Sequence, residues 1–262
     1  MQKKRADILL VEKGLAKSRD RAKALIMAGE VYSGVKRIDK ASDMLLEDAP
    51  LNVKQDICPY VSRGGLKLEK AMDTFNIAVN GKVCADIGAS TGGFTDCMLK
   101  NGAVHVFAVD VGYGQLDWKL RNDERVTVME RTNARFLTEE SFSSKVELCS
   151  VDVSFISLKL IFPAISACKI DTAVTLIKPQ FEAGKEKVGK KGVVRDANVH
   201  KEVINNVFEY AKEYGYYPIG LTFSPIKGPE GNIEYLCCFV HENVQNELDI
   251  DGVVGEAHAD LD

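Results

Sequence analysis

Apolar residues recur at helical spacing across residues 5–12, and Gly14 follows where such a helix would have to stop. Ser18 precedes a second helical stretch, 19–26, and is a good N-cap because its hydroxyl can accept a free N–H of the first turn. Gly29 closes that stretch. Residues 31–32 and 51–53 alternate as short strands do, with a turn at Ser33-Gly34. Residues 56–60 read as a boundary, because Pro59 cannot continue a central strand. Ser62 then stands as a cap before a helix with an imperfect apolar face of Leu66, Ala71 and Phe75. Beyond it the pattern changes to short apolar runs at 83–87, 104–109, 126–129, 146–151 and 173–177. Two last runs, 221–225 and 232–240, flank a Gly-Pro-Glu-Gly turn and predict an antiparallel hairpin. Strands spaced this way by helices predict an α/β domain on a largely parallel, doubly wound sheet.

Composition changes this picture little: 45% of the 262 residues are hydrophobic and 27% charged, as in a soluble globular chain. The seven cysteines include no C-x-x-C pair, and several lie in apolar runs, so buried reduced thiols are expected rather than a metal or disulfide role. No run approaches the ~18 apolar residues of a membrane span. The N-terminal Met-Gln-Lys-Lys-Arg has no signal-peptide character, so a soluble, cytoplasmic protein is expected.

Charge changes it more. The chain carries a net −4, but residues 1–40 hold eleven Lys or Arg against five acids. From Glu242 onward there are seven acids and no Lys or Arg. The basic end offers Lys3, Lys4, Arg5, Lys17, Arg19, Arg21 and Lys23 to a phosphate backbone, with Arg19 and Lys23 on one helix face. The basic helix, the Ala-Gly-Glu-Val that follows and the short strand resemble the small RNA-binding module (the αL motif) first seen in a ribosomal small-subunit protein. Residues 1–59 are therefore expected to dock RNA, and the acidic segment 242–262 to be disordered.

Candidate chemistry begins at residue 82. A short buried strand leads through Asp86 into the turn Gly88-Ala89-Ser90-Thr91-Gly92-Gly93, and Phe94 starts a helix. Glycines let backbone approach a ligand, and the N–H groups of a helix start favour an anion. The Asp-x-Gly-x-x-x-Gly-Gly form differs from the G-x-G-x-x-G of nicotinamide enzymes. Asp86 suits an ammonium or a water bound to one. Asp110 ends the next strand and is placed to accept from two ribose hydroxyls. Asn133 is a candidate for an adenine edge. Together these predict an adenosine-bearing cofactor. His105 reads as a strand residue, and no metal cluster is visible.

Polar residues also end the later strands: Asp152, Lys178 and, at the start of the last strand, Glu234. The carboxyl edge of a parallel sheet is where ligands bind. Here the chain resembles the TlyA (hemolysin A) family, whose catalytic domain is similar to the FtsJ/RrmJ 2′-O-methyltransferases. The resemblance spans residues 1–241. It rests on Tyr60-Val61-Ser62-Arg63-Gly64-Gly65-Leu66-Lys67-Leu68, the 86–95 turn, Asp152-Val153-Ser154-Phe155-Ile156-Ser157, Leu176-Ile177-Lys178-Pro179-Gln180-Phe181-Glu182 and Gly231-Asn232-Ile233-Glu234. It implies a Rossmann-like S-adenosylmethionine-dependent methyltransferase domain over residues 60–241, preceded by the small α+β ribosomal-protein-type domain. The implied catalytic tetrad is Lys67, Asp152, Lys178 and Glu234, and the implied substrate is cytidine in 16S or 23S ribosomal RNA.

The chemistry fits that set. A sulfonium methyl is already activated, so the enzyme must align a ribose hydroxyl and take its proton. Lys178 is expected to be that base, with Lys67 beside it as a second cation. Asp152 and Glu234 would orient the lysines and the nucleotide. Arg63 and the basic segment 184–195, with Lys185 and Lys187, are further candidates for RNA contact. A membrane-active hemolysin and a non-catalytic RNA-binding protein are the alternative readings.

Overall fold

The computed structural model describes residues 3–27, 29–53, 58–244 and 246–261. Ala28, residues 56 and 57 of the expected boundary and the last residue of the acidic segment lie outside these. The chain divides into two compact units, Met1–Cys58 and Pro59–Asp262.

The first unit contains β1 (Lys3–Arg5), α1 (Ala6–Glu12), α2 (Arg19–Met27), β2 (Val31–Ser33), β3 (Lys36–Arg37), β4 (Met44–Leu46) and β5 (Leu51–Val53). Ser18 caps α2 as its position suggests, accepting from the Arg21 N–H at 3.2 Å. β1 pairs with β4, and β2 is the centre of an antiparallel sheet with β3 and β5. Leu9, Leu10, Ala22, Leu25, Ile26, Val31 and Ile38 form its core. Buried among them is one carboxylate, Asp7, which Arg5 and Arg19 each approach at 2.9 Å. The two guanidiniums, Arg5 first, hold the Asp7 carboxyl down at about 2 against the opposing effect of burial.

The second unit is the doubly wound domain. After α3 (Gly65–Phe75) it runs β6 (Val83–Ile87), α4 (Gly93–Lys100), β7 (His105–Val109), α5 (Trp118–Arg121), β8 (Val126–Met129) and β9 (Leu148–Val151). It continues through α6 (Phe162–Ala167), β10 (Thr172–Ile177), α7 (Pro179–Glu182), α8 (Ala197–Glu213), β11 (Tyr217–Phe223), β12 (Tyr235–Val240) and α9 (Ile250–Leu261). Spatially the sheet is ordered β11-β12-β10-β9-β6-β7-β8. β6 to β10 pair in parallel, whereas β12 runs antiparallel to both β10 and β11. Side chains alternate between the two faces. Ala85, Ile87, Cys149, Val151, Ala173 and Ile177 join one core, while Cys84, Leu148, Val174 and Leu176 join the other. Chain order reverses direction between β6 and β9, and such a switch point opens a crevice at the carboxyl ends of the strands.

Two expectations are corrected. The acidic C-terminal segment is not disordered over Ile250–Leu261: it forms α9, with Val254 and Ala257 fully buried against the core. Ile250, Val253, Val254, Ala257 and Leu261 follow a helical stripe, and that stripe outweighs the surrounding acids because it gives the helix a face to bury. An ion pair from Lys201 to Asp251 at 2.6 Å ties the helix to α8. The N-cap position of α3 falls on Gly64 rather than on Ser62.

Six of the seven cysteines are buried, Cys58 being the partly exposed one. Among the described residues no helix is long and apolar enough to cross a membrane, and no His, Cys, Asp and Glu side chains gather to hold a metal ion.

Candidate active site

The glycine turn is placed by its contacts on both sides. Gly88 has φ +89, and a Cβ there would meet the Asp152 carbonyl oxygen at 2.4 Å. A Cβ on Gly93 would meet Ser62 Oγ at 2.3 Å. The turn thus lies against the end of β9 on one side and against the segment leading into α3 on the other. That segment is pinned by Val61 N–H donating to Asp96 at 2.8 Å and the Tyr60 hydroxyl donating to Glu69 at 2.6 Å. Lys67 is delivered to the sheet edge from the first turns of α3.

Asp86 is fully buried behind the turn. It accepts from Thr95 N at 2.8 Å, Thr95 Oγ1 at 2.7 Å and Ser150 Oγ at 3.1 Å. Burial raises its carboxyl to about 6, and those bonds work against the rise. Asp110, one residue past β7, accepts from Ser90 N at 2.7 Å and Gly112 N at 2.6 Å. These two N–H groups fix the carboxylate while leaving lone pairs for a ligand. Asn133 accepts from Arg135 N at 3.1 Å at the start of a single 3₁₀ turn.

Between these residues lies a cavity of about 790 Å³, lined by Gly88, Ser90, Asp110, Asn133 and Asp152 among others. A smaller one of about 200 Å³ is lined by Asp86, Gly88, Ala89, Ser90, Thr91, Gly93, Phe94, Asp152, Ser62 and Gly64. All the predicted turn residues except Gly92 line one or both. Gly92, at φ +92, backs onto Leu116 and Leu120 instead.

The four charged residues meet the same edge as two ion pairs. Lys178 Nζ lies 2.5 Å from Asp152 Oδ1 and 3.0 Å from Ser154 Oγ. Lys67 Nζ lies 2.6 Å from Glu234 Oε2. The other Glu234 oxygen accepts from Gln180 Nε2 at 3.3 Å. The β10–β12 pairing, which ends at Ile177 opposite Tyr235, brings Lys178 and Glu234 to the same end of neighbouring strands. Glu234 is wholly buried, and Lys67 and Lys178 nearly so.

The sequence left three contributors unnoticed. Ser154 and Gln180 are hydrogen-bond partners of the tetrad. Phe155 projects beside the larger cavity almost fully exposed, at φ +64, with its ring 5.1 Å from that of Phe181. A positive φ on a bulky residue was the kind of signal that only coordinates reveal.

The expected RNA-contacting residues divide. Lys4 pairs with Glu12 and Glu47, Lys23 with Asp20, and Lys187 with Glu202. Arg5 and Arg19 hold Asp7, so part of their charge is committed inside the unit. Lys3, Lys17, Arg21, Arg63 and Lys185 make no ion pair among the described residues. The basic segment 184–195 is anchored at its far end: Val193 and Val194 are buried.

A parallel sheet with an antiparallel last hairpin, a glycine turn at its switch point and lysine–carboxylate pairs beside it define a Rossmann-like methyltransferase domain. Residues 60–241 match the FtsJ-like methyltransferase family and residues 4–49 the S4 domain. The chain belongs to the FtsJ-like methyltransferase family. It is 54% identical to "Putative rRNA methyltransferase YqxC" of Bacillus subtilis, over 90% of this chain and 85% of that one. It is 47% identical to "16S/23S rRNA (cytidine-2'-O)-methyltransferase TlyA" of Mycobacterium tuberculosis, over 88% and 87%. Among solved structures, "Putative hemolysin from Streptococcus thermophilus" superposes with a TM-score of 0.80 at 46% identity, covering 99% of this chain and 97% of that one.

Proposed function

We propose that the chain is an S-adenosylmethionine-dependent 2′-O-methyltransferase acting on cytidine in 16S or 23S ribosomal RNA, and hence a cytoplasmic enzyme. The observation that carries the reading is the pair of lysine–carboxylate contacts, Lys178–Asp152 and Lys67–Glu234, with Asp152 itself lining the glycine-turn cavity. Relatives named for rRNA 2′-O-methylation support the substrate.

The residues present fit the cofactor. The larger cavity is of ordinary ligand size and carries a fixed carboxylate, Asp110, for ribose hydroxyls and Asn133 for the base. The smaller one offers Asp86, Asp152 and turn backbone to the amino-acid end. When bound, S-adenosylmethionine supplies an activated methyl group.

The chain supplies position and a proton acceptor. As the neutral amine, Lys178 Nζ would accept the 2′-hydroxyl proton, and Asp152 and Ser154 hold that nitrogen in place. Lys67, fixed by Glu234, is the second cation beside the ribose, and Gln180 holds the far oxygen of Glu234. Phe155 offers an exposed ring on which the nucleobase can stack. In the first unit, Lys3, Lys17 and Arg21 are among the cations that make no ion pair among the described residues, and they meet RNA phosphates.

The test is incubation of the full chain with 16S and 23S rRNA and methyl-labelled S-adenosylmethionine. Label in a ribose linkage resistant to alkali is expected. Unlabelled RNA overturns the reading, and if lipid vesicles leak in the same preparation the hemolysin alternative takes its place.

A further inference from the structure

We propose that the basic concavity framed by Lys190, Lys191 and Arg195 seats one backbone phosphate of the RNA substrate. This rests on the reading of the chain as an RNA-modifying enzyme and adds a binding site to it.

Residues 184–195 carry five cations and one acid in a chain whose net charge is −4. Lys187, at the edge of the concavity, is neutralised by Glu202 at 2.5 and 2.7 Å. Lys190, Lys191 and Arg195 make no ion pair among the described residues, so their charge is unspent. They line a cavity of about 310 Å³ together with Gly189 and Val193. An unneutralised cation is ordinary on a surface; three of them around one concavity make a site shaped for an anion. An Arg fork and lysine point charges suit phosphate oxygens.

The concavity is also built and anchored. Gly192 N donates to the Gly189 carbonyl at 2.8 Å and Gly189 N to the Val193 carbonyl at 3.0 Å, closing the turn. The buried side chain of Asn232, in the segment that leads into β12, grips it: its amide donates to the Gly192 carbonyl at 2.9 Å, and its oxygen accepts from Val194 N at 3.2 Å. His200 Nε2 lies 3.0 Å from the Val194 carbonyl, which can only accept, so that nitrogen carries the hydrogen. Asn232 stands two residues before Glu234, about 7 Å along an extended chain. The seat is therefore held in fixed register with the carboxylate that positions Lys67. A ribose presented to Lys178 brings flanking phosphates with it, and the anchored cations meet one of them.

The full chain and its K190Q/K191Q/R195Q variant are compared by filter binding to 16S and 23S rRNA transcripts across a salt series. Lys145→Gln, at an exposed pair with Asp171, serves as the control for loss of a surface charge. The variant is expected to bind about tenfold more weakly at physiological salt and to lose about one unit of the log–log salt slope. Its KM for RNA rises while kcat at saturating RNA and affinity for S-adenosylmethionine hold, and the control stays within about twofold of the parent. Parent-like affinity and slope in the variant overturn the seat alone. A fall in kcat at unchanged KM overturns it too, since the loop then acts on chemistry. If the parent itself binds neither rRNA, the seat falls together with the RNA reading.

Discussion

Asp7 and Glu234 are both carboxylates shut away from solvent and both are met by cations, yet they do different work. The partners of Asp7 are arginines 2 and 12 residues away, each about half exposed. They neutralise a carboxylate of α1 that is packed against α2, and with two guanidiniums to one carboxylate the cluster keeps a net positive charge on its exposed side. The cation on Glu234 is a lysine 167 residues away, itself nearly buried, and at the same end of the sheet stands a second lysine–carboxylate pair whose Asp152 lines a ligand-sized cavity. A buried charge by itself marks either structure or function. A compact, transferable-proton cation beside an open crevice marks function, whereas an arginine cannot give up its proton and is suited to holding.

Three perturbations sharpen the contrast, beginning with the largest effect. Lys178→Ala should lower methyl transfer by about 10³-fold or more, with S-adenosylmethionine affinity within a few-fold of the parent. Single-turnover transfer assays and calorimetry read the two quantities, and retained turnover would remove Lys178 from the role of base. Next, Glu234→Ala leaves Lys67 charged and unpaired in a nearly dry site. Breaking such a pair costs about 3–5 kcal/mol, measurable by urea denaturation. A Lys67→Met/Glu234→Leu double variant should recover most of that stability and none of the activity. Recovery of both would mean the pair is structural, as Asp7 is.

The smallest effect belongs to Asp7→Asn. It should leave methyl transfer chemistry untouched and lower amide protection in α1 and α2 by roughly tenfold at neutral pH. The sign with pH follows from the depressed carboxyl. Its folded value of about 2 lies below the unfolded value near 3.9, so the stabilisation is complete above that value and fades as pH falls toward 2. The Asn variant should lack this acid-side loss, read as the pH dependence of α1 and α2 amide signals. An identical acid profile in both proteins would show that Asp7 contributes nothing through its charge.

Much of the fold was legible because its signals are local. Runs such as 83–87 and 173–177 are apolar because both sheet faces are covered, and the Gly88 to Gly93 turn is written in residues that must approach other backbone. The C-terminal segment shows where a local reading went wrong. Seven acids drew attention to charge, while the stripe Ile250, Val253, Val254, Ala257 and Leu261 was present and decided the outcome. The fates of Arg5 and Arg19 were not legible, since nothing in the sequence says that Asp7 is buried between them.

The chain's own order of residues determined which strands form, where the glycine turn opens and which four charged residues stand at strand ends or on the preceding helix. Those depend on side-chain periodicity and backbone freedom within a few residues. Only the tertiary structure decided who pairs with whom: Lys67 with Glu234, Lys178 with Asp152 and Ser154, Phe155 with Phe181, Asn232 with the basic turn. Such contacts join positions tens to hundreds of residues apart, and their strength comes from burial and distance, which exist only once the sheet has brought its carboxyl edge together.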